Sequence, residues 1–271
     1  MKKSLAVFCL FISASGSFYS CQNNDETTTP SVSESVRNQL TDLGFDLINH
    51  PPIPFDEGYL VEGDIYLTPA DLATMKKGDR LPVVEQYSTN QLVTALPRTI
   101  TVFMPTTFST ANFAALDEAI RRYNAENLQL KFKRVTTSTA NIVFSRLSRS
   151  EERAGVLGSA GFPTSTGNPY GTIKMSGILE STYRLSVNGI ATIMAHEMGH
   201  CIGFRHTDFY NRAISCGGAV FNEGAGTSGA NLIPGTPSTA TLAAQSWMLA
   251  CTDGSNRNFN ADDKVALNYL Y

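Results

Sequence analysis

The sequence predicts an α+β fold with one main domain built from a mixed sheet and amphipathic helices. Two patterns predict this class. Apolar residues alternate strictly in segments such as 128–135, whereas they recur every three or four positions in segments such as 111–126. The chain has 271 residues, 42% of them hydrophobic, which suffices for one sizeable core and a smaller appendage.

The first twenty residues predict an export signal. Lys2 and Lys3 precede a short apolar stretch, 5–12, that is too short to span a membrane. Cys21 follows, and the segment resembles a bacterial lipoprotein signal, although Phe18 stands where such signals usually carry Leu. We expect 1–20 to be a lipoprotein-type signal peptide and 21–35 a flexible tether. The protein would then be anchored through Cys21 at a bacterial outer membrane or cell surface; an ordinary secretory signal is the alternative.

The charge pattern argues against a nucleic-acid partner. The net charge is −3, and no run of Lys or Arg could form a basic face. No later segment has 18 consecutive apolar residues, so we expect membrane contact only through the lipid anchor.

Two helices are predicted within residues 36–96. The first runs from Val36 to Ile48, and a proline-rich turn follows at 51–54. The second runs from Thr68 to Lys77, because Thr68 followed by Pro69 is typical of a helix N-terminus. No large core of its own is expected for this region.

Residues 97–271 are expected to form the main domain. Its predicted elements are strands at 99–104, 128–135 and 141–144, helices at 111–126, 188–202 and 260–270, a glycine- and serine-rich stretch at 155–175, and a long loop at 207–246. Asn188 is the predicted N-cap of the second of these helices, and Asn260 that of the third.

The segment 196–206 predicts a metal site, because it contains three of the four histidines in the chain. His196 and His200 are four residues apart, so a helix presents both on one face at a spacing that suits one zinc ion. Gly203 can end the helix in a left-handed conformation. The chain can then turn and bring His206 to the same ion, which leaves one coordination position open.

Glu197 is the predicted general base. It lies beside the first histidine, where it can take a proton from a water molecule activated by the metal. We therefore expect a zinc-dependent endopeptidase with one catalytic zinc ion. The alternative is a surface-anchored binding or adhesion protein that retains a zinc site without proteolysis. Such a protein has no need of Glu197, and structural zinc sites usually have four ligands.

The eleven-residue motif resembles that of the metzincin clan of zinc peptidases. Bacterial HEIGH-type (dual-action) metallopeptidases are the most similar, since their motif is also followed by Thr-Asp, here Thr207-Asp208. The resemblance implies protein or peptide substrates, a twisted mixed sheet, a zinc-binding helix, a methionine turn and a C-terminal helix. It also implies an antiparallel edge strand that binds substrate, for which 159–163 is the candidate; a plain surface loop is the alternative for this segment. Met248 is the methionine that fits the turn.

Two further features of related enzymes bear on this chain. Astacins and serralysins have a tyrosine two residues after the turn methionine, where this chain has Ala250; Tyr210 is a weaker candidate for that role. The segment 61–65 resembles the Phe-x-Gly-Asp motif of astacin pro-regions, with Val61 in place of Phe. In astacins the aspartate occupies the open zinc position. Asp64 is therefore the candidate latency switch, with 36–96 as a pro-like region and 97–271 as the catalytic domain; a simple Gly-Asp turn is the alternative.

Three cysteines remain after the signal: Cys201, Cys216 and Cys251. Export implies an oxidising compartment, so one disulfide is expected. The sequence does not select the pair; we favour Cys216 with Cys251, and a buried Cys201. Asp208 is a candidate hydrogen-bond partner for His206. A calcium site, the substrate preference and the oligomeric state are not specified by the sequence.

Overall fold

The computed structural model describes residues 31–43, 45, 47, 51–61, 63–74, 86–224, 228–237 and 240–271. The predicted signal peptide, Cys21 and most of the predicted tether lie outside these residues, as do the last residues of the helix predicted at 68–77. No helix in the described part of the chain has the length and apolar character that crossing a bilayer requires.

The N-terminal part, up to residue 74, contains a small antiparallel sheet that the sequence did not predict. The elements are α1 (Glu34–Leu43), β1 (Ile53–Phe55), β2 (Gly58–Val61), β3 (Ile65–Leu67) and α2 (Pro69–Thr74), and the sheet order is β1-β2-β3. Strands of three or four residues are too short for alternation to reveal them. Strands β2 and β3 pack with α1 and α2 around a small core formed by Leu40, Leu43, Phe45, Val61, Ile65, Leu67 and Leu72.

Helix α1 ends at Leu43, five residues before its predicted end. The Phe45 N–H donates to the Leu40 carbonyl at 3.0 Å, a bond that closes a helix where the chain turns away.

The rest of the chain follows the predicted order. Its strands are β4 (Tyr87–Ser88), β5 (Arg98–Phe103), β6 (Leu130–Val135), β7 (Ile142–Arg146), β8 (Gly158–Ser159), β9 (Thr172–Met175) and β10 (Asn231–Leu232). Its helices are α3 (Thr110–Ala125), α4 (Arg149–Arg153), α5 (Val187–Cys201), α6 (Ala213–Cys216) and α7 (Ala261–Leu270), with a 3-10 turn at Leu242–Ala244.

The main sheet confirms the predicted α+β class. Its strand order is β6-β5-β7-β9-β8. The first four strands are parallel, and β8 is an antiparallel edge that overlaps the predicted edge segment 159–163 at Ser159. Helices α3 and α5 pack against each other, and the Tyr123 hydroxyl donates to the Ala195 carbonyl at 2.7 Å. One large core joins the sheet to both helices.

Helix α5 begins at Val187, one residue before the predicted start. Its N-cap is Ser186, whose hydroxyl accepts a hydrogen bond from the Gly189 N–H at 3.1 Å. The N-cap prediction for Asn188 was wrong, since Asn188 lies inside the first turn and is exposed. Every residue from Gly189 to Cys201 is buried, so α5 is a central helix that cannot shift without disturbing the core.

Residues 86–96, which the sequence assigned to the pro-like region, pack against the end of α5. The Thr89 N–H donates to the Gly203 carbonyl at 2.7 Å, and the Arg205 N–H donates to the Tyr87 carbonyl at 2.9 Å. Val93 belongs to the large core. Residues 86–96 therefore pack as part of the main domain.

The stretch 207–246 is largely irregular, as predicted, and a disulfide closes it. Cys216 is bonded to Cys251, the pair that the sequence favoured, and Cys201 is free and buried. The link ties α6 to the segment that follows Met248.

Candidate metal centre

Four side chains converge at one point. The ligand atoms of Asp64, His196, His200 and His206 all lie within 4.8 Å of one another. Helix α5 presents His196 and His200 one turn apart, as the spacing predicts. His206 reaches the same point from beyond the helix end, and Asp64 reaches it from the loop before β3.

Gly203 makes the approach of His206 possible. Its φ is +106°, a conformation that other residues rarely adopt. A β-carbon there would also lie 2.9 Å from the Gln91 carbonyl oxygen and 2.8 Å from a Leu92 methyl. Glycine is thus required both for the turn and for the close packing against 91–92.

The hydrogen bonds of His196 and His200 fit a metal ion. Nδ1 of His196 is 2.9 Å from the Trp247 carbonyl oxygen, and Nδ1 of His200 is 2.8 Å from that of Phe204. A carbonyl oxygen only accepts, so each Nδ1 carries a proton that it donates, and each neutral ring keeps a lone pair on Nε2. These two Nε2 atoms face each other at 3.1 Å. Two lone pairs at this distance repel each other unless a proton or a metal ion lies between them.

His206 lies between two carboxylates. Its Nε2 is 3.0 Å from Asp64 Oδ2, and its Nδ1 is 2.7 Å from Glu223 Oε1. Burial lowers the pKa of His206, but the charges of Asp64 and Glu223 outweigh it and raise that pKa to about 10. Asp64 shows the converse: burial alone raises its pKa, but His206 and His196 hold it well below its usual value. The site therefore has a strong preference for a positive charge.

Glu197 places a second carboxyl group at the site. It lies next to His196 on α5 and is buried, and its Oε2 has no hydrogen-bond partner among the described residues. Burial raises the pKa of Glu197 well above its ordinary value, and the nearby Asp64 adds to this. A buried carboxylate oxygen without a hydrogen-bond partner lowers the stability of the fold, so its presence points to a functional role.

Met248 packs against α5 at Gly199, the residue before His200. It is fully buried, and a β-carbon on Gly199 would come within 2.6 Å of its sulfur. The turn that carries Met248 is hydrogen-bonded to the site at two points. The Trp247 carbonyl accepts from His196, and the Met248 carbonyl accepts from the Thr207 N–H at 2.8 Å.

The edge of the main sheet is occupied by the N-terminal part. The Tyr66 N–H donates to the Ala160 carbonyl, and the Ala160 N–H donates to the Asp64 carbonyl, each at 3.2 Å. Ile65 and Ala160 form a parallel bridge. The segment that carries Asp64 thus lies along the edge on which β-augmentation by a peptide would occur.

A cavity of about 220 Å³ opens beside Glu197. Apolar groups of Leu157, Ile193, Trp247 and Leu249 line it together with His196 and Asp64. It has the size of a pocket for one side chain of a bound peptide.

Two sequence expectations about supporting residues were not met, and one residue was missed. The Asp208 carboxylate accepts from Ser215 and from the Ala250 N–H, and Glu223 instead holds His206. The Tyr210 hydroxyl accepts from the Ala240 N–H at 2.7 Å. No spacing rule could have singled out Glu223, because it approaches from within the irregular stretch.

The family follows from a comparison with known protein families. The family model described as "Dual-action HEIGH metallo-peptidase" matches residues 59–271. The chain belongs to this family. As a HEIGH metallopeptidase, it acts on protein or peptide substrates, and zinc is its expected cofactor. The donor set of three imidazoles and a carboxylate suits that ion.

Three solved structures match this HEIGH metallopeptidase over most of their own length. A structure of myroilysin is 15% identical, with a TM-score of 0.41, and the match covers 67% of this chain and 96% of that one. A crystal structure of myroilysin is 16% identical, with a TM-score of 0.40 and coverages of 74% and 95%. High choriolytic enzyme 1, a hatching enzyme zinc-protease from Oryzias latipes (medaka fish), is 17% identical, with a TM-score of 0.40 and coverages of 64% and 88%. No curated protein matches the sequence.

Proposed function

We propose that the protein is a zinc endopeptidase in which His196, His200 and His206 hold one zinc ion and Glu197 is the general base. The observation that carries this proposal is the buried Glu197 Oε2, which has no hydrogen-bond partner among the described residues, beside the three converging imidazoles. A site that only bound zinc for structure would have no use for such a group.

The chemistry divides between the ion and the chain. When bound, zinc supplies the positive charge that polarises a peptide carbonyl and acidifies water. Glu197 accepts the proton of the attacking water and passes it to the amide nitrogen as the C–N bond breaks. Helix α5 and the Met248 turn hold the ligand rings in place, so little reorganisation is needed during the reaction.

Casein digestion tests this function. The protein, with the Asp64→Ala change to open the site, should digest casein, and a chelator should stop it. Replacing Glu197 with Ala in the same background should lower the rate by about 100-fold or more, since a general base contributes factors of this order. Equal rates with and without Glu197 would instead favour the surface-anchored binding or adhesion protein.

We further propose that Asp64 keeps the enzyme latent. Three observations support this: Asp64 Oδ2 lies 3.0 Å from His206 Nε2, it lies 3.6 Å from His196 Nε2, and residues 64–66 cover the sheet edge at Ala160. A carboxylate is a competent zinc ligand. Asp64 would thus block the open coordination position, and the backbone pairing with Ala160 would hold it there.

Latency predicts that Asp64→Ala makes the unprocessed chain more active. The expected gain in peptide cleavage is on the order of 10-fold or more, because removal of one ligand from a metal site exposes the ion to substrate. Asp42→Ala is the matched control, since Asp42 is an exposed acid on α1. A fully zinc-loaded Asp64→Ala protein with wild-type activity would contradict the switch.

The boundary of the catalytic domain is proposed to lie between Thr74 and Gln86, earlier than residue 97. The contacts of Tyr87 and Thr89 with the end of α5 support this. N-terminal sequencing of matured protein checks it, and a mature chain that begins after Val93 would contradict it.

Export and lipidation of Cys21 are proposed from the sequence alone. The lysines and short apolar stretch before Cys21, and the polar stretch after it, support this reading. Cells that express the protein should label it with a fatty-acid analogue, and Cys21→Ser should abolish the label. A Cys21→Ser protein that still labels would contradict lipidation.

A further inference from the structure

The Nδ1 atoms of the three histidines contact groups of different charge. Nδ1 of His196 and of His200 each donate to a backbone carbonyl. Nδ1 of His206 instead faces a carboxylate, Glu223 Oε1, at 2.7 Å. Among the three histidines, His206 is thus the one whose Nδ1 faces a negative charge.

His206 needs this support more than the other two ligands. His196 and His200 share the buried helix α5, which fixes their backbones over several turns. His206 lies beyond Gly203, outside any helix or strand. The bond from Thr207 N–H to the Met248 carbonyl anchors the neighbouring backbone, but it leaves the ring orientation to a side-chain contact.

Glu223 is itself held rigidly. Its side chain is fully buried. Arg212 Nη1 lies 3.1 Å from Oε1, and Arg205 Nη2 lies 3.4 Å from Oε2. The Glu223 N–H donates to the Phe209 carbonyl at 2.7 Å. Two arginines and a backbone bond therefore fix the carboxylate at a buried position where an unpaired charge would be costly.

We propose that Glu223 is the positioning residue for the third metal ligand. It accepts the Nδ1 proton of His206, sets the ring so that the Nε2 lone pair points to the metal, and makes that nitrogen a stronger donor through its negative charge. The irregular stretch 207–246 would then be part of the metal site. This inference rests on the proposed zinc site at His196, His200 and His206.

Zinc affinity tests the inference directly. Full-length wild type, Glu223→Gln and Glu152→Gln are compared by competition with a chromophoric chelator. Glutamine keeps the shape of the side chain and removes the charge, so Glu223→Gln should bind zinc about 10- to 100-fold more weakly. Glu152 is also a buried acid paired with an arginine, Arg146, but it does not contact the histidines; Glu152→Gln should bind zinc like wild type.

A double-mutant cycle separates positioning from a general structural effect. If Glu223 acts through His206, then Glu223→Gln should cost zinc affinity in wild type but little in a His206→Ala background. The absorption of the Co²⁺-substituted protein should also change in Glu223→Gln, because the ligand geometry changes. Equal losses in both backgrounds, or wild-type affinity in Glu223→Gln, would overturn the inference.

A second variant covers the case in which Glu223→Gln does not fold. Glu223→Asp keeps the charge between the two arginines and retracts the carboxylate by one methylene group. A folded Glu223→Asp protein should lose zinc affinity by a smaller factor than the glutamine variant, and unchanged affinity would count against the role. Because the readout is metal binding, an Asp64→Ala protein that binds zinc in this way but fails to cleave casein would reject the proposed peptidase activity alone.

Discussion

Glu197 is confined by a glycine on the sheet edge. A β-carbon on Gly158 would lie 2.5 Å from Glu197 Oε1, closer than real side chains approach. The backbone of β8 therefore passes directly against the proposed base, and its lack of a side chain leaves Glu197 free to reach the reacting water. Catalysis depends on such placement, since a shift of about 1 Å can cost on the order of 100-fold in rate.

Gly158→Ala should consequently lower kcat by about 10- to 100-fold by displacing the Glu197 carboxylate. Zinc affinity should change little, because the three histidines do not contact Gly158. Gly171→Ala is the matched control: its β-carbon would meet only the Asn141 carbonyl, at an ordinary 3.7 Å. Peptide cleavage assays on both variants decide the matter, and equal activities would mean that Glu197 need not occupy this position.

At the scale of elements, α5 determines where two ligands lie, and its start depends on Ser186. The sequence alone pointed to Asn188, because asparagine is a strong N-cap and its position matched the start of the apolar pattern. The helix begins earlier because the Ser186 hydroxyl meets the Gly189 N–H. Boundaries of this kind depend on local geometry that periodicity does not specify.

Ser186→Ala should destabilise the protein by about 1 kcal/mol, the usual value for loss of an N-cap. Asn188→Ala should have little effect, or a small stabilising one, because Asn188 is an exposed residue inside the first turn. Urea unfolding of both variants measures this. A larger loss for Asn188→Ala than for Ser186→Ala would contradict the observed cap.

The same contrast explains how much of the site the sequence could predict. His196, His200 and Gly203 follow from helix geometry and one turn, so their spacing reveals them. Glu223 acts across an irregular stretch, and its approach to His206 depends on Arg205, Arg212 and the path of the whole loop. The hairpins of 53–67 escaped prediction because each strand is too short to show a period.

At the scale of the whole molecule, Asp263 joins distant parts of the chain. Its carboxyl accepts hydrogen bonds from Ser246 Oγ at 2.7 Å and from the Trp247 N–H at 3.3 Å, and it also accepts from the Gln86 side-chain amide. Helix α7 is thereby tied to Gln86 and to the turn at Ser246 and Trp247. Burial raises the pKa of Asp263 to about 7, against the effect of these hydrogen bonds.

This pKa predicts a pH-dependent stability. An unfolded aspartate has a pKa near 3.8, so between that value and about 7 the folded protein keeps a proton that the unfolded chain releases. The stabilisation is complete below the unfolded pKa and is lost as the pH rises through 7, with a slope of up to about 1.4 kcal/mol per pH unit. Asp263→Asn should remove this slope. Urea unfolding of both proteins at several pH values from 4 to 8 checks it, and parallel curves would contradict the assignment.

The central claim is that one zinc ion at His196, His200 and His206 works with Glu197 to cleave peptides. Its most direct test is a zinc titration of metal-free Asp64→Ala protein while peptide cleavage is followed. Activity should rise in proportion to added zinc and level off at about one ion per chain, as three ligands for one ion require. The same protein with Glu197→Gln should bind the same single ion and remain inactive. A plateau at a different stoichiometry, or cleavage by the Glu197→Gln protein at the rate of its parent, would contradict the account.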